Sequence, residues 1–348
     1  MKPFWILVRG AAFGFSIETF RRKQVFALAV CFWLVFCAIP LTLSVRAEAQ
    51  QAQIPRIGYL SFYSDERDKL MAAFQHGLRE LGYVEGKNIL IEKRDAKDKR
   101  QQVPALIAEL INLKVELIVT GAQGARAAKR VGSRIPIVLA YSANPVTEGL
   151  VASLARPGGN ITGLSDYHGD LVTKRLELIK EIAPLASRVA ILFHENNPAN
   201  GPMVKDAESA APGLGMRVLP LAVKNSNDIR QAFTTMEKEL AAGFLQFVGL
   251  GGHRKQIVTL AVANRLPAIY TRGQWVASGG LMSYGAHWPD LYRRTATYVD
   301  KILKGAKPAD LPVEQPKKFE FIVNLTTAQQ MGLTFPPNVL VRADRVIR

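Results

Sequence analysis

Residues 115–141 read VELIVTGAQGARAAKRVGSRIPIVLAY. The stretch at 115–120 is a short apolar strand that closes on Gly121. A helix of small residues occupies 122–131, and Pro136 opens a second apolar strand at 136–141. Strands this short and this apolar are buried on both faces, and a helix between two of them is a crossover connection. The unit therefore predicts a parallel sheet with helices packed on each side.

The same alternation extends in both directions. Upstream lie a strand at 57–60, a helix marked by Leu70, Phe74, Leu78 and Leu81 with Gly82 as its stop, a strand at 88–92 and a helix at 103–113. Downstream the pattern restarts: strands at 188–193, 217–223, 244–248 and 266–270 alternate with helices at 203–214, 229–240 and 257–264. Two runs of about 110 residues each point to two doubly wound α/β lobes rather than one sheet of ten strands. Between them, Pro157-Gly158-Gly159 breaks a helix and 160–164 is extended, as a hinge strand would be. A second glycine-rich stretch, 278–285, is expected to be another hinge.

The N-terminus reads as an export signal. Arg21, Arg22 and Lys23 precede a continuously apolar run at 25–39, and Ala47-Glu48-Ala49 supplies a small-x-small cleavage site. Cleavage after Ala49 would release a periplasmic chain. The apolar run falls short of the about 20 residues of a bilayer span, although an uncleaved membrane anchor is the competing reading. A lipid-modified Cys37 is disfavoured by the bulky Phe36, and Arg21-Arg22 followed by Lys-Gln-Val is a poor twin-arginine signal. Both cysteines, Cys31 and Cys37, lie inside this segment. The chain beyond it can form no disulfide, thiolate metal site or cysteine nucleophile.

The formal charge is +16, and residues 1–49 hold six basic and two acidic residues of that balance. The remaining basic residues fall in small groups such as Lys93, Arg94, Lys97, Lys99 and Arg100. They are not interleaved with aromatics as a nucleic-acid groove requires, so a solvated basic surface is expected and no nucleic-acid partner. His76, His168, His194, His253 and His287 show no metal-ligand spacing. No Gly-x-Ser-x-Gly elbow occurs. Gly249-Leu250-Gly251-Gly252 lacks the full dinucleotide or P-loop pattern and reads as a tight strand–helix turn. No catalytic residue, metal or cofactor is expected, and nothing requires more than a monomer.

Three blocks carry a family resemblance. One comprises 136–138, Asn144-Pro145-Val146 and 149–163 (GLVASLARPGGNITG); the second comprises 280–285 (GLMSYG) and 298–308 (YVDKILKGAKP); the third comprises 310–316 (DLPVEQP) and 319–324 (FEFIVN). Together they resemble the ABC-transporter substrate-binding proteins of the tryptophan/tyrosine type, from Ile54 to the end. The resemblance implies a type I periplasmic-binding fold in which two lobes, joined by three crossover strands, clamp a ligand. Lobe 1 would be 54–163 plus 284–318, and lobe 2 would be 164–283 plus 319–348. It implies that 291–303 returns to lobe 1 as a helix, that 319–324 is the third crossover and that 328–333 docks on lobe 2. It also implies a small-molecule ligand and a partner, a permease with its cytoplasmic ATPase. A periplasmic protein feeding a membrane sensor is the alternative.

Ligands of open parallel sheets bind beyond the carboxyl ends of strands. That rule selects Ser61, Phe62, Thr120, Gly121, Gln123, Tyr141, Ser142 and Asn144 in the first lobe. In the second it selects Glu195, Asn196, Gly249 and Tyr270, with Asp166 after the first crossover and Tyr284 after the second. Rings, hydroxyls, amides and helix N-termini together suit a small polar organic molecule with an apolar part, such as an amino acid or aromatic acid. Its ammonium could pair with Asp166 or Glu195, and its ring could stack on Phe62, Tyr141 or Tyr270.

Overall fold

The computed structural model describes residues 54–62, 66–97, 99–166 and 170–348. The export-signal reading concerns 1–49 and lies outside the described residues. The first sheet holds β1 (Arg56–Ser61), β2 (Leu90–Asp95), β3 (Leu117–Gly121), β4 (Ile137–Tyr141) and β5 (Ile161–Gly163). It is parallel throughout, in the order β2-β1-β3-β4-β5. Helices α1 (Arg67–Glu80), α2 (Val103–Asn112) and α3 (Ala122–Arg130) connect its strands or follow them.

The second sheet holds β6 (Arg188–His194), β7 (Arg217–Val223), β8 (Phe244–Gln246), β9 (Ala268–Tyr270), β10 (Met282–Ala286), β11 (Phe319–Asn324) and β12 (Arg345–Ile347). Its order is β12-β11-β10-β9-β8-β6-β7. Its part of the chain carries α4 (Asp170–Ile182), α5 (Asn200–Ala210), α6 (Ser226–Lys238), α7 (Arg254–Ala263) and α8 (Gly273–Ala277). Then follow α9 (Trp288–Leu303), α10 (Leu325–Met331) and α11 (Pro337–Leu340).

Alternate residues of each central strand enter opposite cores, which is why the strands read as unbroken apolar runs. In β1, Ile57 and Tyr59 join the cluster built with α1 and α9, whereas Leu60 joins the one built with α2 and α3. The second sheet is covered in the same way, by α4, α5, α10 and α11 on one face and by α6, α7 and α8 on the other. Leu70, Phe74 and Leu78 form the buried stripe of α1, and the Phe74 ring stacks 5.5 Å from Tyr59. Each such side chain contributes about 2–3 kcal/mol by leaving water. Leu81, expected on that stripe, lies past the helix end and is exposed.

The chain passes between the sheets three times. It leaves the first after β5, where Ser165 N–H donates to the Glu314 carbonyl and Asp166 N–H to the Ser142 carbonyl, and continues into α4. It returns through His287 into α9, whose Leu291, Tyr292, Ala296 and Val299 complete the first core. It crosses again beyond Glu314 to reach β11.

Two expectations change here. The stretch 278–285 is no hinge, since Met282–Ala286 is a strand of the second sheet, paired with β9 and β11. Its glycines serve close packing: a Cβ on Gly285 would sit 2.1 Å from the Thr271 carbonyl oxygen, and one on Gly280 would sit 2.6 Å from the Tyr270 ring. Tyr284 therefore belongs to the second sheet, and the passage falls at 286–288. Residues 319–324, in turn, are a full strand rather than a crossover. The chain leaves and re-enters at the same end of β10, so β11 runs antiparallel to it.

Candidate functional site

The carboxyl ends of β3 and β4 face those of β8 and β9 across a cleft. From the first side come Ala122, Gln123 and Arg126 of α3, then Tyr141, Ala143 and Glu148. From the second come Asn197, Gln246, Val248, Gly249, Gly251, Thr271, Arg272, Gln274 and Trp275. Asp166 and Trp288, each on a passage between the sheets, line it as well. The cleft encloses about 570 Å³ between atoms, part of it open to solvent.

Aromatic rings shape the apolar part. Trp288 lies 4.5 Å from Tyr141 and 6.2 Å from Tyr292, so its indole is anchored in the first core. Trp275 stacks on Tyr270 at 4.9 Å with the ring planes 11° apart. The Tyr141 hydroxyl donates to Gln123 Oε1 at 3.2 Å, which fixes both side chains at the start of α3. No side chain caps that helix, and its first residues, Ala122 and Gln123, line the cleft.

Buried charges shape the polar part. Arg126 Nη1 meets Glu148 Oε2 at 2.8 Å, and Ser142 Oγ donates to the same oxygen at 3.2 Å. Burial raises the Glu148 carboxyl above its ordinary range, and Arg126 opposes that shift. Asp166 is pushed from the usual 3.8 up to about 6 by burial, against the pull of Arg272 and then Arg175. Arg272 is 8 % exposed; its guanidinium carbon lies 3.4 Å from the centre of the Trp288 ring, and its Nη2 lies 2.6 Å from Glu66 Oε2. Two acceptors in the lining, Asp166 Oδ1 and Gln274 Oε1, are buried and receive no hydrogen bond. A buried acceptor left unpaired costs about 1–3 kcal/mol, so this wall is built to meet a donor.

Of the side chains selected from sequence, Gln123, Tyr141, Asp166 and Gly249 come together in this cleft. Ser61 and Thr120 are buried beneath it, Thr120 Oγ1 donating to the Leu60 carbonyl at 3.4 Å. Gly121 backs onto the Tyr141 ring, 2.1 Å from where its Cβ would stand. Ser142 is fully buried on Glu148, and Asn144 Oδ1 accepts from Thr147 N–H within a turn. Phe62 lines a neighbouring chamber with Arg100, His194 and Gly249, and Asn196 an outer groove with Arg100 and Arg130. Glu195 is engaged at the surface by Lys224 at 2.9 Å. Tyr270 is fully buried behind Trp275, and Tyr284 faces a separate depression with Asp170 and Phe319. Arg126, Glu148, Gln246, Arg272, Gln274, Trp275 and Trp288 were not among the residues selected. Gln246 is the last residue of β8 and lies within reach of the strand-end rule; the others lie beyond the strand ends, in turns, on helix starts and on a passage, where that rule does not reach. Among the described residues no group of three His, Cys, Asp or Glu side chains could hold a metal ion. No helix among them is long and apolar enough to cross a membrane.

A cleft between two doubly wound sheets, with the chain passing between them three times, defines the class of type I periplasmic-binding-protein-like folds. The chain belongs to the ABC transporter substrate binding protein family, whose profile matches residues 60–347. It is 26 % identical over 268 residues to a tyrosine-binding protein of Clostridioides difficile (strain R20291), covering 76 % of this chain and 77 % of that one. Among solved structures it is similar to an ABC domain in complex with L-Trp from Streptococcus pneumonia: TM-score 0.77, 26 % identity, 85 % of this chain and 100 % of that one. A ligand-free, open substrate-binding protein with adhesive properties from Clostridium difficile shares the fold at TM-score 0.66 and 24 % identity, with 84 % and 99 % covered. The family is one of binding proteins, not of enzymes.

Proposed function

We propose that this chain captures an α-amino acid with an aromatic side chain and delivers it to an ABC importer. The observation that carries the reading is the pair of buried, unpartnered acceptors, Asp166 Oδ1 and Gln274 Oε1, in a cleft walled by Trp275, Trp288 and Tyr141. A primary ammonium offers three donors and a charge, which satisfies both acceptors and neutralises Asp166. The ligand carboxylate takes the uncapped N–H groups of α3 and the cationic face of Arg272. The side chain lies against the indoles. The names of the tyrosine-binding relative and the L-Trp complex support an aromatic amino acid.

Capture works by closure: two lobes, one per sheet, rotate about the three passages near 165–166, 286–288 and 314–319. The shut form gains contacts to the ligand that the open form lacks, as any ligand-driven change requires. The partner is a membrane permease with its cytoplasmic ATPase, and the chain works outside the cytoplasm after export.

A thermal-shift titration of the purified protein with L-tyrosine and L-tryptophan tests the reading. Binding to the folded form alone stabilises by about 2.7 kcal/mol at a hundredfold excess over Kd, so the melting temperature should rise with concentration. A flat response to both amino acids would contradict the proposal. Of the four tryptophans, Trp275 and Trp288 both line the cleft. Indole emission, excited to the red of tyrosine absorption, should therefore shift on adding L-tyrosine, and a Trp275→Phe variant should lose part of the change. An unaltered spectrum at saturating L-tyrosine would place the ligand elsewhere.

A further inference from the structure

Glu66 does not line the cleft, yet its carboxylate holds a side chain that does. It stands in the turn that opens α1, on the first sheet's side, and its carbonyl accepts Leu70 N–H at 2.9 Å, so its backbone is tied to that helix. Arg272 follows β9 on the second sheet's side. The 2.6 Å contact between Glu66 Oε2 and Arg272 Nη2 thus joins the two sides, and both groups are largely shielded, at 25 % and 8 % exposure. The Arg272 guanidinium also sits over the Trp288 ring, which is packed into the first core. Opening the cleft must break the ion pair and lift the guanidinium off the indole.

We propose that Glu66 is a positioning residue that latches the shut cleft through Arg272 and so sets how slowly the ligand leaves. This rests on the closure reading above. Glu66 itself does not line the cleft; it acts on Arg272, which lines the cleft together with Asp166, the acid that receives the ligand ammonium. Truncating one partner of a shielded, hydrogen-bonded charge pair changes the off-rate far more than the on-rate.

The isosteric variant Glu66→Gln tests this, with L-tyrosine as the probe and stopped-flow indole emission as the signal. The off-rate should rise about tenfold while the on-rate stays within about twofold. Small-angle scattering of the unliganded variant should show a larger radius of gyration than the parent, and Glu66→Lys, which sets two cations face to face, should enlarge it further. An off-rate and a scattering profile equal to those of the parent would overturn the latch. If L-tyrosine fails to bind the parent protein, the ligand assignment falls, and the scattering comparison alone decides whether the latch exists.

Discussion

Replacing Asp166 by Asn should weaken the binding of an aromatic amino acid by at least about a hundredfold and, at neutral pH, make the empty protein more stable. The first effect follows because the amide removes the charge that faces the ligand ammonium inside a shielded cleft. Losing one member of a buried charge pair costs about 2–5 kcal/mol. The second follows from the titration of Asp166 itself. Its carboxyl is pushed up to about 6, mainly by burial. An acid raised above its unfolded value favours the protonated form in the folded state. Its ionisation therefore weakens folding as pH rises from about 4 through 6, and the penalty is complete above that window. The asparagine variant escapes the penalty, so its melting temperature should exceed the parent's at pH 8 and match it near pH 4. The gain is bounded by about 3 kcal/mol, since each pKa unit is worth about 1.4 kcal/mol, and the nearby Arg272 and Arg175 lose a favourable neighbour. Affinity in the parent protein should in turn fall below about pH 6, as Asp166 takes up the proton that displaces its interest in an ammonium. Calorimetric titrations across pH 4–8, with paired melting curves, check all three outcomes. A variant that binds as tightly as the parent removes Asp166 from the site.

Gly163→Ala should be the most disruptive single change. Gly163 ends β5 with φ +128, a conformation that a residue with a side chain rarely adopts. The space is also taken: a Cβ there would stand 2.3 Å from the carbonyl oxygen of Leu139 and 2.5 Å from its nitrogen. These are backbone atoms of the neighbouring central strand, so no rotamer change relieves the clash. The strand pair must separate, and a loss on the order of 4 kcal/mol or more is expected. The damage spreads to the cleft. Leu164 N–H donates to the same Leu139 carbonyl, and Asp166, three residues on from Gly163, hangs from the Ser142 carbonyl. Denaturant unfolding should show a much lower midpoint, with soluble protein binding ligand poorly. A midpoint equal to the parent's would mean that the passage is more pliable than its geometry indicates.

The fold was legible because its information is local. Two-sided burial writes itself into 115–120 and 136–141 as unbroken apolar runs, and the stripe Leu70, Phe74, Leu78 writes the helix that covers them. What misled was glycine. Gly280 and Gly285 suggest freedom in a sequence, but here they are small because Tyr270 and Thr271 press against them, and the segment is a buried strand. The cleft was only partly legible for a related reason. Gln123, Tyr141 and Asp166 sit at strand ends, where topology alone directs attention. Arg272 and Gln274 lie beyond Tyr270, the strand-end residue that was selected, and that ring is itself sealed under Trp275. Trp288 belongs to a helix that looks like ordinary lobe packing until the second passage carries its first residue to the cleft. Which side chain of a strand–helix turn faces the ligand depends on the rotation of that turn, and periodicity does not record it.

The most direct test is a calorimetric comparison of L-tyrosine with its deaminated counterpart, 3-(4-hydroxyphenyl)propionate, which keeps the ring and the carboxylate. A site built around unpaired acceptors rejects a molecule that cannot fill them, so the amino acid should bind about a hundredfold tighter or better. The gap should vanish in Asp166→Asn. Equal affinities for the two molecules would mean that the buried acceptors do not receive the ligand, and the proposed mode of capture would fail.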